Sequence, residues 1–278
     1  MGEIDTIQGI NSPRTRRSLA DDLRQLDIKP GMTVLVHSSL KSIGWVNGGP
    51  VTVIQALQDV LTSAGTLVMP SHSGDLSDPA HWQNPPIPQD WHELVRQTMP
   101  AFEPALTPTR GMGRIAELFR TWPDVQRSSH PQVSFAAWGQ QARFVTDNHG
   151  LSNSLGEKSP LARVYDLAGY VLLLGVGYDS NTSFHLAEYR ANRNQPFKTG
   201  APVLRNGRSH WTPYDDIEFN DDLFPQIGAE MEAQTDIVTI GQAGSAACRF
   251  YPQKPGVDFA VNWLTNYHPP TTSSQSRV

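Results

Sequence analysis

Thr33-Val34-Leu35-Val36-His37-Ser38-Ser39, then Gly48-Gly49-Pro50, then Gly65-Thr66-Leu67-Val68-Met69-Pro70, decide the fold of this chain. The first run is short, apolar and β-branched, which reads as a core strand. Pro50 suits the first turn of a helix, and Val53, Ile54, Leu57, Val60 and Leu61 recur on one face of it up to Ser63. Ala64-Gly65 ends that helix, and residues 66–70 form a second strand. Strand, loop, helix, strand is a βαβ unit, and a βαβ unit implies a parallel sheet with helices packed on it.

Outward from this unit the same signals continue. Leu19, Leu23 and Leu26 give helical spacing over residues 18–26, closed by Lys29-Pro30-Gly31. Residues 71–109 carry prolines at 79, 85, 86, 88, 100, 104 and 108, with room only for a short helix near 91–97. An irregular segment of that length inside a compact domain is usually functional. Helical spacing returns over 111–120, a strand over 133–138, and helices over 140–146 and 159–167, the latter opened by Ser159-Pro160. Tyr170 to Val176 is an apolar strand closed by Gly175 and Gly177. Asn206-Gly207 predicts a tight hairpin between 201–204 and 208–212. An acidic run over 215–222, a helix over 223–232, a strand pair at 236–240 and 245–250 turning around Gly241 and Gly244, and a helix over 255–267 complete the chain. The expected class is α/β: a central mixed, largely parallel sheet flanked by helices, with a C-terminal part that contains a hairpin. Residues 1–268 are read as one domain, with 1–15 a flexible N-terminus and 269–278 a disordered tail.

The 278 residues suffice for a substantial core, and no apolar run approaches the roughly 20 residues of a membrane span. The first 17 residues hold three arginines but no apolar stretch after them, so they do not read as a secretory signal. Cys248 is the single cysteine, which rules out an intrachain disulfide and fits a cytoplasmic protein. A net charge of −5 disfavours nucleic acid as a partner and suits a cationic substrate.

Chemistry concentrates in three places. After the strand at 170–176, Asn181, Thr182 and Ser183 can each cap a helix that carries His185 and Glu188 at i and i+3 on one face. A histidine oriented by a carboxylate beyond a core strand is the minimum kit for a general base. A core histidine salt-bridged to Glu188 explains the same spacing equally well. The loop from His37 to Gly49 offers hydroxyls, glycine amides, Lys41 and a helix N-terminus to phosphate oxygens, but an ordinary strand-to-helix loop looks alike. It matches neither a P-loop nor a dinucleotide fingerprint. His37 and His130 could join His185 and Glu188 around zinc, giving a zinc-dependent hydrolase as one alternative. Asp75, Asp78, Asp215, Asp216 and Glu218 are either solvated charges or the lining of an acidic cleft.

Taken together, Val36-His37-Ser38-Ser39-Leu40, Gly48-Gly49, residues 65–70, Ser129-His130-Pro131 and Gly175-Val176-Gly177 through Asn181-Thr182-Ser183-Phe184-His185-Leu186-Ala187-Glu188 resemble the aminoglycoside N3-acetyltransferases, from about Ser18 to Phe250. The resemblance implies that family's own α/β fold, distinct from the small N-acetyltransferase fold. It also implies acetyl-CoA as donor, the 3-amino group of a 2-deoxystreptamine aminoglycoside as acceptor, and a resistance role. By the same resemblance His185 is the catalytic base and Glu188 its partner. Ser38, Ser39, Ser42, Gly48, Gly49, Ser71, Thr109 and Gly111 fall on the CoA side, with Ser71 among the groups expected to stabilise the oxyanion. Asp75 (or Asp78), Asp216 and Glu218 fall on the aminoglycoside side. The expected partners are these small molecules alone, with no metal, no nucleic acid and no membrane, in a monomer or homodimer. Acetylation of another amine metabolite and CoA binding without catalysis are the remaining alternatives.

Overall fold

A computed structural model describes residues 3–8 and 10–268. Nine strands form: β1 (Thr33–Ser38), β2 (Thr66–Pro70), β3 (Gln126–Arg127), β4 (Phe135–Gly139), β5 (Tyr170–Leu174), β6 (Pro196–Arg205), β7 (Arg208–Ile217), β8 (Thr239–Ala243) and β9 (Ala246–Pro252). Seven of them build one sheet in the order β3-β4-β2-β1-β5-β9-β8, and β6 pairs with β7 as a separate hairpin. The sheet is mixed. Its three central strands, β2, β1 and β5, are parallel, and the pairings outward from them are antiparallel.

The pleat sorts each central strand between two cores. Val34, Val36, Leu67, Met69, Leu172 and Leu174 point to one side, where helices Arg16–Gln25, Gly49–Leu61 and Gly113–Phe119 cover them. Leu35, Val68, Val171 and Leu173 point to the other, under helices Pro160–Asp166, Ser183–Ala191, Phe224–Gln234 and Gln253–Asn266. Burial on both faces is why these strands read as unbroken apolar runs instead of alternating ones. Each such side chain contributes roughly 1.5–3 kcal/mol on leaving water. No helix among the described residues is long and apolar enough to cross a membrane.

Several elements differ from the sequence expectation, each for a traceable reason. Within the loop after β1, residues Leu40–Ile43 form a helical turn, because the Ser39 hydroxyl accepts the Ser42 N–H. The last strand pair turns at Gly244-Ser245, and Gly241 lies inside β8. A Cβ on Gly241 would come within 2.6 Å of the Leu26 side chain, while Gly244, at φ +61°, sits against the Ile43 carbonyl. The hairpin is longer than its turn region suggested, so Asp215 and Asp216 are strand residues opposite Lys198 and Phe197; Asp215 is exposed and Asp216 buried. Residues expected as part of a flexible N-terminus are hydrogen-bonded: Arg14 exchanges backbone bonds with Trp45 and Asn47, both 2.9 Å, and Thr15 caps the Arg16–Gln25 helix. The expected tail at 269–278 lies outside the described residues.

Arg127 is one anchor of the proline-rich segment. Its guanidinium donates to the carbonyls of Pro104, Thr107 and Ser71 and to the hydroxyls of Ser73 and Ser134, and it lies over the Phe102 ring. Burial, helped by the nearby Arg120, lowers its pKa to about 10, which leaves it cationic at neutral pH.

Candidate active site

The carboxyl ends of β2, β1 and β5 open onto a cleft of about 790 Å³. Ligands of open α/β sheets bind at this edge, because loops leave the strands there and the helices that follow aim their N-termini at it. His37, Ser38 and Ser39 come from the end of β1, His72 from just beyond β2, and Val176 and Asp179 from beyond β5. Gly49, the first residue of its 13-residue helix, and Gly111 to Arg114 close the opposite wall.

His185 lies in this cleft on the helix Ser183–Ala191. The expected caps are used otherwise. Thr182 stands at the N-cap with helical backbone angles and no cap bond, and its hydroxyl meets Nε2 of His37 at 3.2 Å. Ser183 accepts from Gln253 at 3.0 Å, and Asn181 is fully buried. One turn along the helix, Glu188 is 1% exposed and lies 2.6 Å from Nδ1 of His185. A carboxylate only accepts, so Nδ1 carries the proton and Nε2 keeps the lone pair. Among the described residues Nε2 has no hydrogen-bond partner. The ring is wedged between Phe219 and Phe224, at centroid distances of 4.5 and 4.9 Å, which fixes its plane. The other oxygen of Glu188 accepts from the Asn194 side-chain amide at 2.8 Å and from the Asn220 backbone at 2.7 Å. Three donors thus hold the two oxygens of this buried carboxylate in place. Nearby His37 is pushed down to about 3 by burial and by the proximity of His185, so it is neutral at physiological pH. The arrangement is a base with a free, lone-pair nitrogen in a cleft and an anion behind it.

A profile of the family described as aminoglycoside 3-N-acetyltransferase matches residues 35–265. The chain is 49% identical over 261 residues to the SPbeta prophage-derived aminoglycoside N(3')-acetyltransferase-like protein YokD of Bacillus subtilis (strain 168), covering 94% of this chain and 96% of that one. The crystal structure of YokD superposes with a TM-score of 0.91 over 93% of this chain and 96% of that one. Aminoglycoside N(3)-acetyltransferase III of Pseudomonas aeruginosa is 36% identical, covering 92% of this chain and 95% of its own. A binary structure of AAC-IIIb with CoASH matches at a TM-score of 0.81 and 29% identity, over 93% of this chain and 100% of that one. The chain belongs to the aminoglycoside 3-N-acetyltransferase family.

Within this family member, the residues expected on the CoA side divide in two. Ser38, Ser39, Gly49 and Gly111 line the cleft. Gly48 adjoins it in a left-handed conformation (φ +84°), where a Cβ would come within 2.6 Å of the Thr52 hydroxyl. Ser42 turns its hydroxyl onto Ser39 at 2.9 Å and packs against Gly175, so it supports the loop from behind. Thr109 donates to Glu117 from both its backbone and its hydroxyl, at 2.7 and 2.6 Å. Burial raises the Glu117 pKa, but the Arg120 and Thr109 donors outweigh it and hold the carboxyl at about 2. Ser71 is buried and is not among the residues that line the cleft; its carbonyl is held by Arg127 and Ser134, and its hydroxyl has no hydrogen-bond partner among the described residues.

The acidic residues expected on the aminoglycoside side are placed less directly. Asp75 is exposed and paired with Arg110. Asp78 is buried, capping a short turn and paired with Arg96 at 2.7 Å, a structural use. Asp216 is buried beneath the Tyr189 hydroxyl and also accepts its neighbour Ile217 N–H at 3.0 Å. Glu218 is exposed, and its carbonyl accepts from the same Asn194 that holds Glu188. The acidic side chains that do line the cleft are Asp179 and Asp221. Asp179 and His72, both just past the carboxyl ends of parallel strands, could have been picked out by that position alone. Asp221 and Arg114 reach the cleft through tertiary contacts that carry no local signal.

The zinc reading does not fit the donors. His130 accepts the Gln132 and Val133 N–H groups at Nδ1 and gives its Nε2 proton to the Leu151 carbonyl, so both nitrogens are spent. Among the described residues no group of three or more His, Cys, Asp or Glu is placed to hold a metal ion.

Proposed function

We propose that this chain transfers the acetyl group of acetyl-CoA to the 3-amino group of 2-deoxystreptamine aminoglycosides, and so confers resistance to them. The observation that carries the reading is the His185–Glu188 pair, with its free Nε2, in a cleft that is also lined by Ser38, Ser39, Lys41 and Arg114. Family membership and the relatives' names agree with it.

The cleft residues fit acetyl-CoA as co-substrate. Ser38, Ser39, Lys41, Arg114 and the N-terminus of the Gly49–Leu61 helix offer donors and positive charge suited to phosphate oxygens. Met112 and Val176 offer an apolar flank for the pantetheine arm. Asp179 and Asp221 lie on the His185 side, where an aminoglycoside's remaining ammonium groups need counter-charges.

Nε2 of His185 removes a proton from the 3-amino group as the nitrogen attacks the thioester carbonyl. The amine must be neutral to attack, so an ammonium first gives its extra proton to water, and the proton that His185 takes is the second one, lost from nitrogen as the N–C bond forms. Glu188 stabilises the imidazolium that forms, through Nδ1–H. The N–C bond forms, the C–S bond breaks, and His185 returns the proton to the departing thiolate. No enzyme nucleophile is acylated. Holding both substrates in one cleft supplies a proximity contribution to the rate.

The test is product analysis after incubation with acetyl-CoA and a panel of deoxystreptamine antibiotics, with thiol release followed in parallel. Acetylation at the 3-amino group is the expected result. Thiol release that depends on a different amine class, or acetylation at another position, would overturn the assignment.

A further inference from the structure

Glu188 is held from behind by a residue outside the reacting pair. Asn194 lies in the short link between the base-bearing helix and β6, and its amide has two donors in use. One goes to Oε1 of Glu188 at 2.8 Å, the other to the Glu218 carbonyl at 2.6 Å. Glu218 follows the end of β7, and the next two residues also serve the site. Phe219 packs on the His185 ring, and the Asn220 N–H is the second donor to Oε1. Asn194 therefore joins the carboxylate behind the base to the strand end that carries the ring's packing partner.

We infer that Asn194 is a positioning residue for the acetyl transfer: it keeps Glu188 aligned on Nδ1, and so holds the tautomer and plane of His185. The physical case rests on burial and count. A carboxylate at 1% exposure has almost no water to stabilise it, so its charge depends on the donors the protein supplies. Oε2 has the His185 proton; Oε1 has Asn194 and the Asn220 backbone. Removing Asn194 leaves Oε1 with one donor, the Asn220 N–H, and takes away one of the two bonds that tie the segment 218–220 to Glu188 and its neighbourhood. A neutral amide is the right group there, since an aspartate would set a second anion against Glu188 and an ammonium would draw the carboxylate away from His185.

The inference rests on the acetyltransferase reading, and the experiment separates the two. In Asn194→Ala, kcat should fall about tenfold, the scale of one lost hydrogen bond to a charged group, with the KM for acetyl-CoA within about twofold of the starting enzyme. The same substitution in a Glu188→Gln background should cost at most about twofold, because the charge it serves is already gone. The His185 imidazole, titrated by NMR without any substrate, should have a lower pKa in Asn194→Ala, since a carboxylate that swings away from Nδ1 stabilises the imidazolium less. Equal losses of kcat in the two backgrounds, or an unchanged His185 titration in a folded Asn194→Ala protein, would overturn it. If Asn194→Ala does not fold, Asn194→Asp, close in shape, must still raise the acidic limb of the pH–rate profile by coupling to Glu188; an unmoved limb overturns the inference. Should the enzyme acetylate no aminoglycoside, the functional reading fails, and the NMR titration still decides the role of Asn194.

Discussion

His185 and His149 are two nearly sealed histidines that each hold a hydrogen bond at Nδ1, to Glu188 at 2.6 Å and to the Ser128 hydroxyl at 2.9 Å. They differ at Nε2. In His149 that nitrogen gives its proton to the Ser154 carbonyl at 2.7 Å, so Nδ1 is the acceptor and Ser128 the donor. Ser128 in turn accepts the Phe135 N–H, and His130 packs on His149 at 5.0 Å with its own nitrogens spent. In His185 the carboxylate accepts the Nδ1–H, and Nε2 is left with a lone pair and no partner among the described residues. Burial by itself makes neither histidine functional. The partner at the first nitrogen and the vacancy at the second decide whether an imidazole braces the fold or moves a proton.

The sharpest break of that contrast is His185→Ala. Loss of the general base should lower turnover by about 10²–10⁴-fold, with the thermal midpoint near that of the starting protein. Near-normal turnover in a steady-state assay would mean that the free Nε2 does nothing. His149→Phe should do the reverse, leaving Ser128 and the Ser154 carbonyl unpaired in a buried place. It should lower the unfolding free energy by about 1–3 kcal/mol, while the activity per folded molecule stays close to normal. Chemical denaturation read beside kcat checks both halves.

Acid titration sharpens the structural side further. Burial is the chief cause that lowers His37 and His130 to about 3 and His149 to about 4, against an ordinary 6.5. Between these values the unfolded chain binds protons that the folded chain refuses. Stability is therefore full above about pH 6.5 and falls as pH drops from there towards 3. Denaturant melts across that range should show the decline, and it should be shallower in His149→Phe. The smallest effect belongs to the cleft's rim. Lys41 is exposed, so Lys41→Ala should raise the KM for acetyl-CoA only roughly two- to fivefold, a difference that fades as salt is added.

What could be read in the sequence was local. The βαβ unit follows from apolar spacing and from turn residues within a few positions of each other. Asn206-Gly207 takes the positive φ values, +50° and +73°, that such a hairpin turn requires. The His185–Glu188 contact follows from three-residue spacing on one helix. What could not be read depends on distant partners. Asp216 looks like a free acid until Tyr189 is found over it, and Thr109 looks like a ligand contact until Glu117 claims it. Gly241 looks like a turn residue until Leu26, from the N-terminal region, is found where its Cβ would stand inside β8. Asn194, in a link with no pattern of its own, offered no signal at all.

Arg127 has a consequence for how freely the proline-rich segment can change. A strand keeps its place through a ladder of bonds, and an apolar loop through fitted side chains. Here one guanidinium grips the backbone carbonyls of Pro104 and Thr107. Every residue type presents a carbonyl, so the anchor is indifferent to the side chains in the stretch it secures. Arg120 adds a third such grip, on the Ala105 carbonyl, so sequence drift at the exposed Leu106 can alter what the loop shows to solvent while its path is kept; Thr107, whose hydroxyl accepts the Glu103 N–H, lacks that latitude.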